Sequence, residues 1–136
     1  MKAVFADTFY WVALTNPDDT RYRDAMAFDR VLANATVVTT DEVLSEFLTF
    51  FAAGPWGRGR AVATVQRLLV HPGIRIVPQS RASFLAGLEL YRARPDKGYS
   101  LTDCISMQTM RREGLTEALT NDRHFEQEGF RALFRE

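Results

Sequence analysis

Short β-prone runs alternate with longer stretches of helical periodicity along the whole chain, and this alternation constrains the fold more than any other feature. Residues 2–6 (KAVFA), 36–39 (TVVT), 74–77 (IRIV) and 116–119 (TEAL) read as strands, and 130–134 (FRALF) as a candidate fifth. A short apolar helix is expected over 8–15, stopped by Asn16-Pro17. A second runs from a cap at Asp19 or Thr20 to about residue 34, with Tyr22, Ala25, Met26, Phe28, Val31 and Leu32 at helical spacing. Thr39 and Glu42 form a capping-box pattern for a third helix reaching about residue 53, where AGPWGRG is expected to break the chain. Further helices are expected over 60–70, 80–92 and 101–112, the last stopped by Gly114. Strands separated by helices imply an α/β fold: a three-layer α/β/α sandwich with a central four- to five-stranded parallel sheet, in a single domain spanning residues 1–136.

Composition removes several function classes. A single cysteine, Cys104, excludes an intrachain disulfide and reads as a small buried apolar residue. One Cys and two His make a thiolate zinc site a poor fit. The first residues lack the apolar core of a signal peptide, and no run approaches the ~20 apolar residues of a membrane span. The expectation is a soluble, cytoplasmic protein. Net charge is zero but unevenly distributed: residues 47–102 hold two acids and eight bases, whereas 1–46 hold eight acids and four bases. Fifteen of the seventeen bases are Arg, which suits bidentate phosphate contacts, although solvated helix faces would look the same. A neutral total argues against indiscriminate nucleic-acid binding.

Carboxylates recur where strands stop. Asp7 follows the first strand and Asp122 the fourth. In an open parallel sheet, ligands bind beyond the carboxyl ends of the strands, so both acids belong at that rim. Helices leaving or reaching the rim can add more. Glu46 lies in the second turn of the third helix, at the edge of an arc formed by Val43, Phe47, Leu48, Phe50 and Phe51. Asp103 lies in the first turn of the sixth, where Ser100-Leu101-Thr102-Asp103 also fits a capping pattern. Four acids at one rim repel unless some stay protonated or a cation neutralises them. An all-oxygen cluster suits Mg²⁺ or Mn²⁺, and such a site can activate water for in-line attack on a phosphodiester.

Asp7-Thr8, Glu46, YSLTDCISM around Asp103 and LTNDRHF around Asp122 resemble the PIN domain, and in particular the VapC-type ribonuclease toxins of bacterial toxin–antitoxin pairs. The resemblance spans essentially the whole chain, with TNDRHF its most specific piece. It implies a metal-dependent endoribonuclease in which Asp7, Glu46, Asp103 and Asp122 form an acidic quartet that holds Mg²⁺ or Mn²⁺ and carries catalysis. It makes Thr8 and Thr120 supporting hydroxyls and implies tRNA or rRNA as substrate, a homodimer and an inhibitory antitoxin. His124 falls at a variable position of the motif and reads as a turn or surface residue.

Two further features are weighed with it. Phe50, Phe51 and Trp56 place apolar surface around a glycine-rich turn, either as a hairpin packed on the sheet or as a docking place for an antitoxin. Arg58 and Arg60 beside it, with Arg94 and Lys97 in the RARPDKGYS loop, are candidate RNA contacts. Rival readings are a stand-alone RNA-processing nuclease, a non-catalytic RNA-binding module and a phosphoacceptor signalling domain. The last normally pairs two acids after the first strand and has another after a middle one; here Asp7 is followed by Thr8, and IRIVPQS lacks an acid.

Overall fold

The computed structural model describes residues 2–136. Its centre is a five-stranded sheet of β1 (Ala3–Ala6), β2 (Thr36–Thr40), β3 (Ile74–Val77), β4 (Glu117–Leu119) and β5 (Arg131–Ala132), ordered β3-β2-β1-β4-β5. Every pairing is parallel. Parallel strands require crossovers, and seven α-helices supply them: α1 (Thr8–Thr15), α2 (Tyr22–Val31), α3 (Asp41–Phe50), α4 (Pro55–Val70), α5 (Arg81–Ala93), α6 (Leu101–Glu113) and α7 (Arg123–Gln127). A 3₁₀ turn over Leu133–Arg135 follows β5.

The central strands are buried on both faces, which is why β1 reads as a continuous apolar run and β2 as a β-branched one. Val4, Phe5, Ala6, Val38, Ala118 and Leu119 are wholly buried, with Trp11, Phe47, Met107 and Phe125 packed around them. Strand order reverses direction about β1, so the β1–β4 boundary is the switch point at which a crevice opens. Register there pairs Phe5 with Ala118 and Ala6 with Leu119, bringing the residues that follow each strand side by side.

Helices α5 and α6 approach closely at Gly87. A Cβ there would stand 2.3 Å from Ile105 Cγ1 and 3.1 Å from the Ile105 backbone nitrogen. Glycine thus sets how near α6, with Asp103 in its first turn, can lie to its neighbour. Helix α6 ends at Gly114 in the left-handed region (φ 71°), as expected of a glycine stop.

Several boundaries differ from expectation, each for a local reason. Helix α3 is capped by Thr40, whose hydroxyl accepts from the Val43 amide at 3.0 Å. The Thr39 hydroxyl is engaged elsewhere, donating to the Ala6 carbonyl and accepting from the Trp11 indole. Helix α4 begins at Pro55, so the AGPWGRG stretch starts a helix instead of keeping residues 53–59 out of one. Proline in the first turn lacks only an amide that has no helical partner. Helix α2 starts later than expected because the Asp19 side chain holds the Arg21 amide in a turn, and it ends at Val31. Helix α3 stops at Phe50. The short α7, capped by Asp122, has too few residues to show a period and was not expected. The fifth strand is two residues long before the chain tightens into the 3₁₀ turn.

Candidate active site

Because all strands run the same way, their carboxyl ends share one rim. Asp7 caps the end of β1, Asp122 follows β4, α3 carries Glu46 in its second turn, and α6 carries Asp103 in its first. The four acids line one cleft of about 640 Å³, together with Thr8, Phe9, Ser100, Thr120, Asn121, Arg123 and Arg135. Acids as far apart in the chain as Asp7 and Asp122 therefore line the same cleft.

Each acid is held differently. The buried Asp7 accepts at Oδ2 from the Thr120 hydroxyl, 2.9 Å away. That hydroxyl also accepts from the Asp122 amide at 3.1 Å, so one oxygen ties the ends of β1 and β4 together. Asp122 turns its Oδ1 to the His124 amide at 2.9 Å and caps α7. Asp103 and Ser100 form a reciprocal capping box, the Asp103 carboxylate accepting the Ser100 amide and the Ser100 hydroxyl accepting the Asp103 amide. Capping and rim placement thus coincide in Asp103. Glu46 is exposed and accepts a short hydrogen bond from the Thr8 hydroxyl.

The electrostatics record crowding. Burial pushes the Asp7 carboxyl up to about 7; Asp103 and Glu46 add to the rise, against the Thr120 hydroxyl and the Thr8 backbone. Burial also raises Asp103, opposed by its hydrogen bonds to Ser100 and reinforced by Asp122 and Glu46. These acids feel one another, and neither Asp7 nor Asp103 has an ion pair with Lys or Arg among the described residues. Acids crowded in this way repel one another unless some stay protonated or a cation neutralises them.

His124 is half-buried, its side chain 21% exposed, and it turns toward Asp103 and Asp122. Its ring lies 5.1 Å from that of Tyr99, and its Nδ1 faces Asp122 Oδ1 at 3.3 Å and Asp103 Oδ2 at 3.7 Å. That nitrogen is buried and makes no hydrogen bond. Asp103, Asp122 and His124 form a group of ligand-type atoms all within 4.8 Å of one another. The donor set and the orphaned nitrogen fit a divalent cation. Nothing local in the sequence announced the inward turn of His124, which follows from the α7 cap.

The basic residues fall in two groups. Arg58 donates to the Ala52 carbonyl, Arg60 donates to the Thr15 carbonyl and lies over Trp56, Arg94 pairs with Glu128, and Lys97 with Asp96. None of the four lines the cleft; Arg123 and Arg135 do. Phe50 and Trp56 are exposed, whereas Phe51 is partly buried against the core. No helix among the described residues is long and apolar enough to cross a membrane.

A comparison with curated proteins by sequence finds no match. Solved structures are similar along nearly the whole chain. VapC20 of Mycobacterium tuberculosis, described as a sarcin–ricin loop cleaving toxin, is 27% identical with a TM-score of 0.81, covering 93% of this chain and 95% of that one. VapBC2 from Rickettsia felis, solved with a DNA fragment from its promoter, is 15% identical with a TM-score of 0.67 over 96% of each chain. FitAcB from Neisseria gonorrhoeae is 17% identical with the same TM-score over 95% of each. The family described as PIN domain matches residues 4–130. With the match running from β1 to the residue before β5, and the fold that of VapC-type proteins, the chain belongs to the PIN-domain family.

Proposed function

We propose that this chain is a divalent-cation-dependent endoribonuclease of the VapC toxin type, cutting RNA at the cleft of Asp7, Glu46, Asp103 and Asp122. The observation that carries this reading is the convergence of four carboxylates, two of them with raised proton affinity, on one open cleft. Buried acids without a counter-charge are expensive, and a fold keeps them where they act. Similarity to a toxin described as cleaving the sarcin–ricin loop supports a looped ribosomal RNA as substrate, with tRNA the alternative.

The four acids would hold Mg²⁺ or Mn²⁺, with Asp103 and Asp122 in the close group of ligand atoms and Asp7 and Glu46 lining the same cleft outside that group. Such an ion, when bound, lowers the pKa of an attacking water and neutralises charge on the phosphodiester. Thr8 and Thr120 fix the orientation of Glu46 and Asp7, so the carboxylates do not reorganise when substrate arrives. Arg123 and Arg135, which line the cleft, are the proposed contacts for flanking phosphates, although Arg135 also pairs with Glu126. Attack by water with departure of the 3′-oxygen leaves a 5′-phosphate and a 3′-hydroxyl. The exposed Phe50 and Trp56 are the proposed contact for an antitoxin, and the active form is proposed to be a homodimer.

The test is cleavage of total RNA by purified protein with Mg²⁺, with Mn²⁺ and with chelator, followed by mapping of new 5′-phosphate ends. Discrete ends that vanish with chelator support the reading. Undiminished cutting in chelator, or no cutting with either ion, refutes it.

A further inference from the structure

The carboxylates do not account for His124. Asp122 caps α7 by accepting the His124 amide, and the Tyr99 ring packs against the imidazole at 5.1 Å, tilted by 58°. Tyr99 is itself fixed, its hydroxyl donating to Glu128 at 2.8 Å. The ring is therefore held by two neighbours, with Nδ1 toward Asp103 and Asp122. Yet Nδ1 is buried and bonds to neither. At 3.3 Å an N–H aimed at a carboxylate would form a hydrogen bond, yet this nitrogen makes none. A buried polar atom with no partner costs stability unless something else supplies one.

The spacing indicates what that is. Ligands ~2.1 Å from a six-coordinate ion stand about 3 Å apart when adjacent and about 4 Å when opposite. The nitrogen-to-oxygen separations of 3.3 and 3.7 Å exceed the adjacent-ligand spacing by less than 1 Å, so a small inward shift of these side chains would bring them to it. They suit atoms that share a central neighbour better than a donor and its acceptor.

We propose that His124 Nδ1 is a nitrogen ligand of the cleft cation, completing with Asp103 and Asp122 a mixed nitrogen–oxygen set that selects Mn²⁺ over Mg²⁺. The inference rests on the reading that the cleft binds a divalent cation, and it deepens that reading by assigning the ion. Imidazole is a good donor to transition metals and a poor one to Mg²⁺, whose preferred ligands are oxygens. In the ligating form the ring proton sits on Nε2, leaving the Nδ1 lone pair free. An all-acid site would accept either ion; a site with one imidazole would not treat them alike.

Pulsed electron paramagnetic resonance on the Mn²⁺-loaded protein tests this directly, because a coordinated imidazole nitrogen modulates the electron-spin echo. The chain has two histidines, and His71 lies outside the cleft, its Nδ1 accepting the Gly73 amide. The expected result is ¹⁴N modulation in the wild type that survives His71→Asn and is lost in His124→Ala. Calorimetry should show Mn²⁺ affinity falling about tenfold or more in His124→Ala, with Mg²⁺ affinity much less changed. The wild-type spectrum decides even if His124→Ala misfolds. Bound Mn²⁺ without nitrogen modulation overturns the ligand assignment and leaves the carboxylate site standing. Absence of Mn²⁺ binding overturns both.

Discussion

Two carboxylates in this molecule are almost fully buried, and their proton affinities shift in opposite directions. The Glu128 side chain, just after α7, is 4% exposed; burial works to raise its pKa, but hydrogen bonds from Arg111, Arg94 and Tyr99 hold it down at about 2. Asp7 is 7% exposed, and burial lifts it to about 7. The chain surrounds Glu128 with its own guanidinium groups and gives Asp7 a threonine hydroxyl, beside other acids. Burial alone therefore does not mark a functional acid. What separates the two is whether the chain supplies a compensating positive charge, as it does for Glu128 and does not for Asp7.

The largest test of this contrast is catalytic. Asp7→Asn and Asp103→Asn should each reduce RNA cleavage by about 10²–10³-fold or more while the near-ultraviolet circular dichroism stays native. Glu128→Gln, if it folds, should cut RNA within about tenfold of the wild type. Equal losses in all three would erase the distinction.

Stability against pH sharpens it, because the two acids act with opposite sign. In the metal-free protein Asp7 binds its proton more tightly folded than unfolded, so stability falls as pH rises from about 4 to 7, by up to about 4 kcal/mol from this group. Asp7→Asn should remove that slope and leave the metal-free variant the more stable at pH 7.5, as read by urea unfolding at a series of pH values. A variant less stable than wild type at that pH would contradict the assignment. Saturating cation should narrow or reverse the gap, since only the wild type gains the full binding energy.

Glu128 predicts the reverse. Its folded pKa lies below 4.5, so its contribution is present above that value and is lost as pH falls from about 4.5 toward 2. Glu128→Gln should cost on the order of 2–3 kcal/mol at neutral pH, less than a fully desolvated pair, because Arg94 and Arg111 are each about 40% exposed and can rehydrate. Chemical denaturation gives the number, and a loss under about 0.5 kcal/mol would show the cluster to be ornamental. The smallest expected effect is that of Thr120→Val, about 1–2 kcal/mol, because the Asp122 amide loses its acceptor along with the bond to Asp7.

The sequence revealed the parts of this molecule that depend on local order. Strand–helix alternation, the placement of Asp7 after β1 and of Asp122 after β4, and the Ser100–Asp103 box follow from residues a few positions apart. The same local reasoning misassigned the α3 cap, because Thr39 and Thr40 are equivalent until the sheet brings Ala6 and Trp11 to one of them. It treated Gly54-Pro55 as an ending when proline suits a beginning equally well. The Glu128 cluster was invisible for a different reason: its partners Arg94 and Arg111 lie 34 and 17 residues away, and nothing in their neighbourhoods signals the meeting. His124 belongs to the same class, its orientation being decided by Tyr99 and by a helix too short to leave a period.

The Thr120 hydroxyl has consequences beyond its modest energy. One of its two lone pairs accepts the Asp122 amide and its only proton goes to Asp7, so two hydrogen bonds oppose its rotation. A pinned rotor on the cleft floor means that the ordering of this corner is completed when the strands lock together. Whatever enters later meets a surface that has already stopped moving, and the entropy of arranging it is not charged to the encounter.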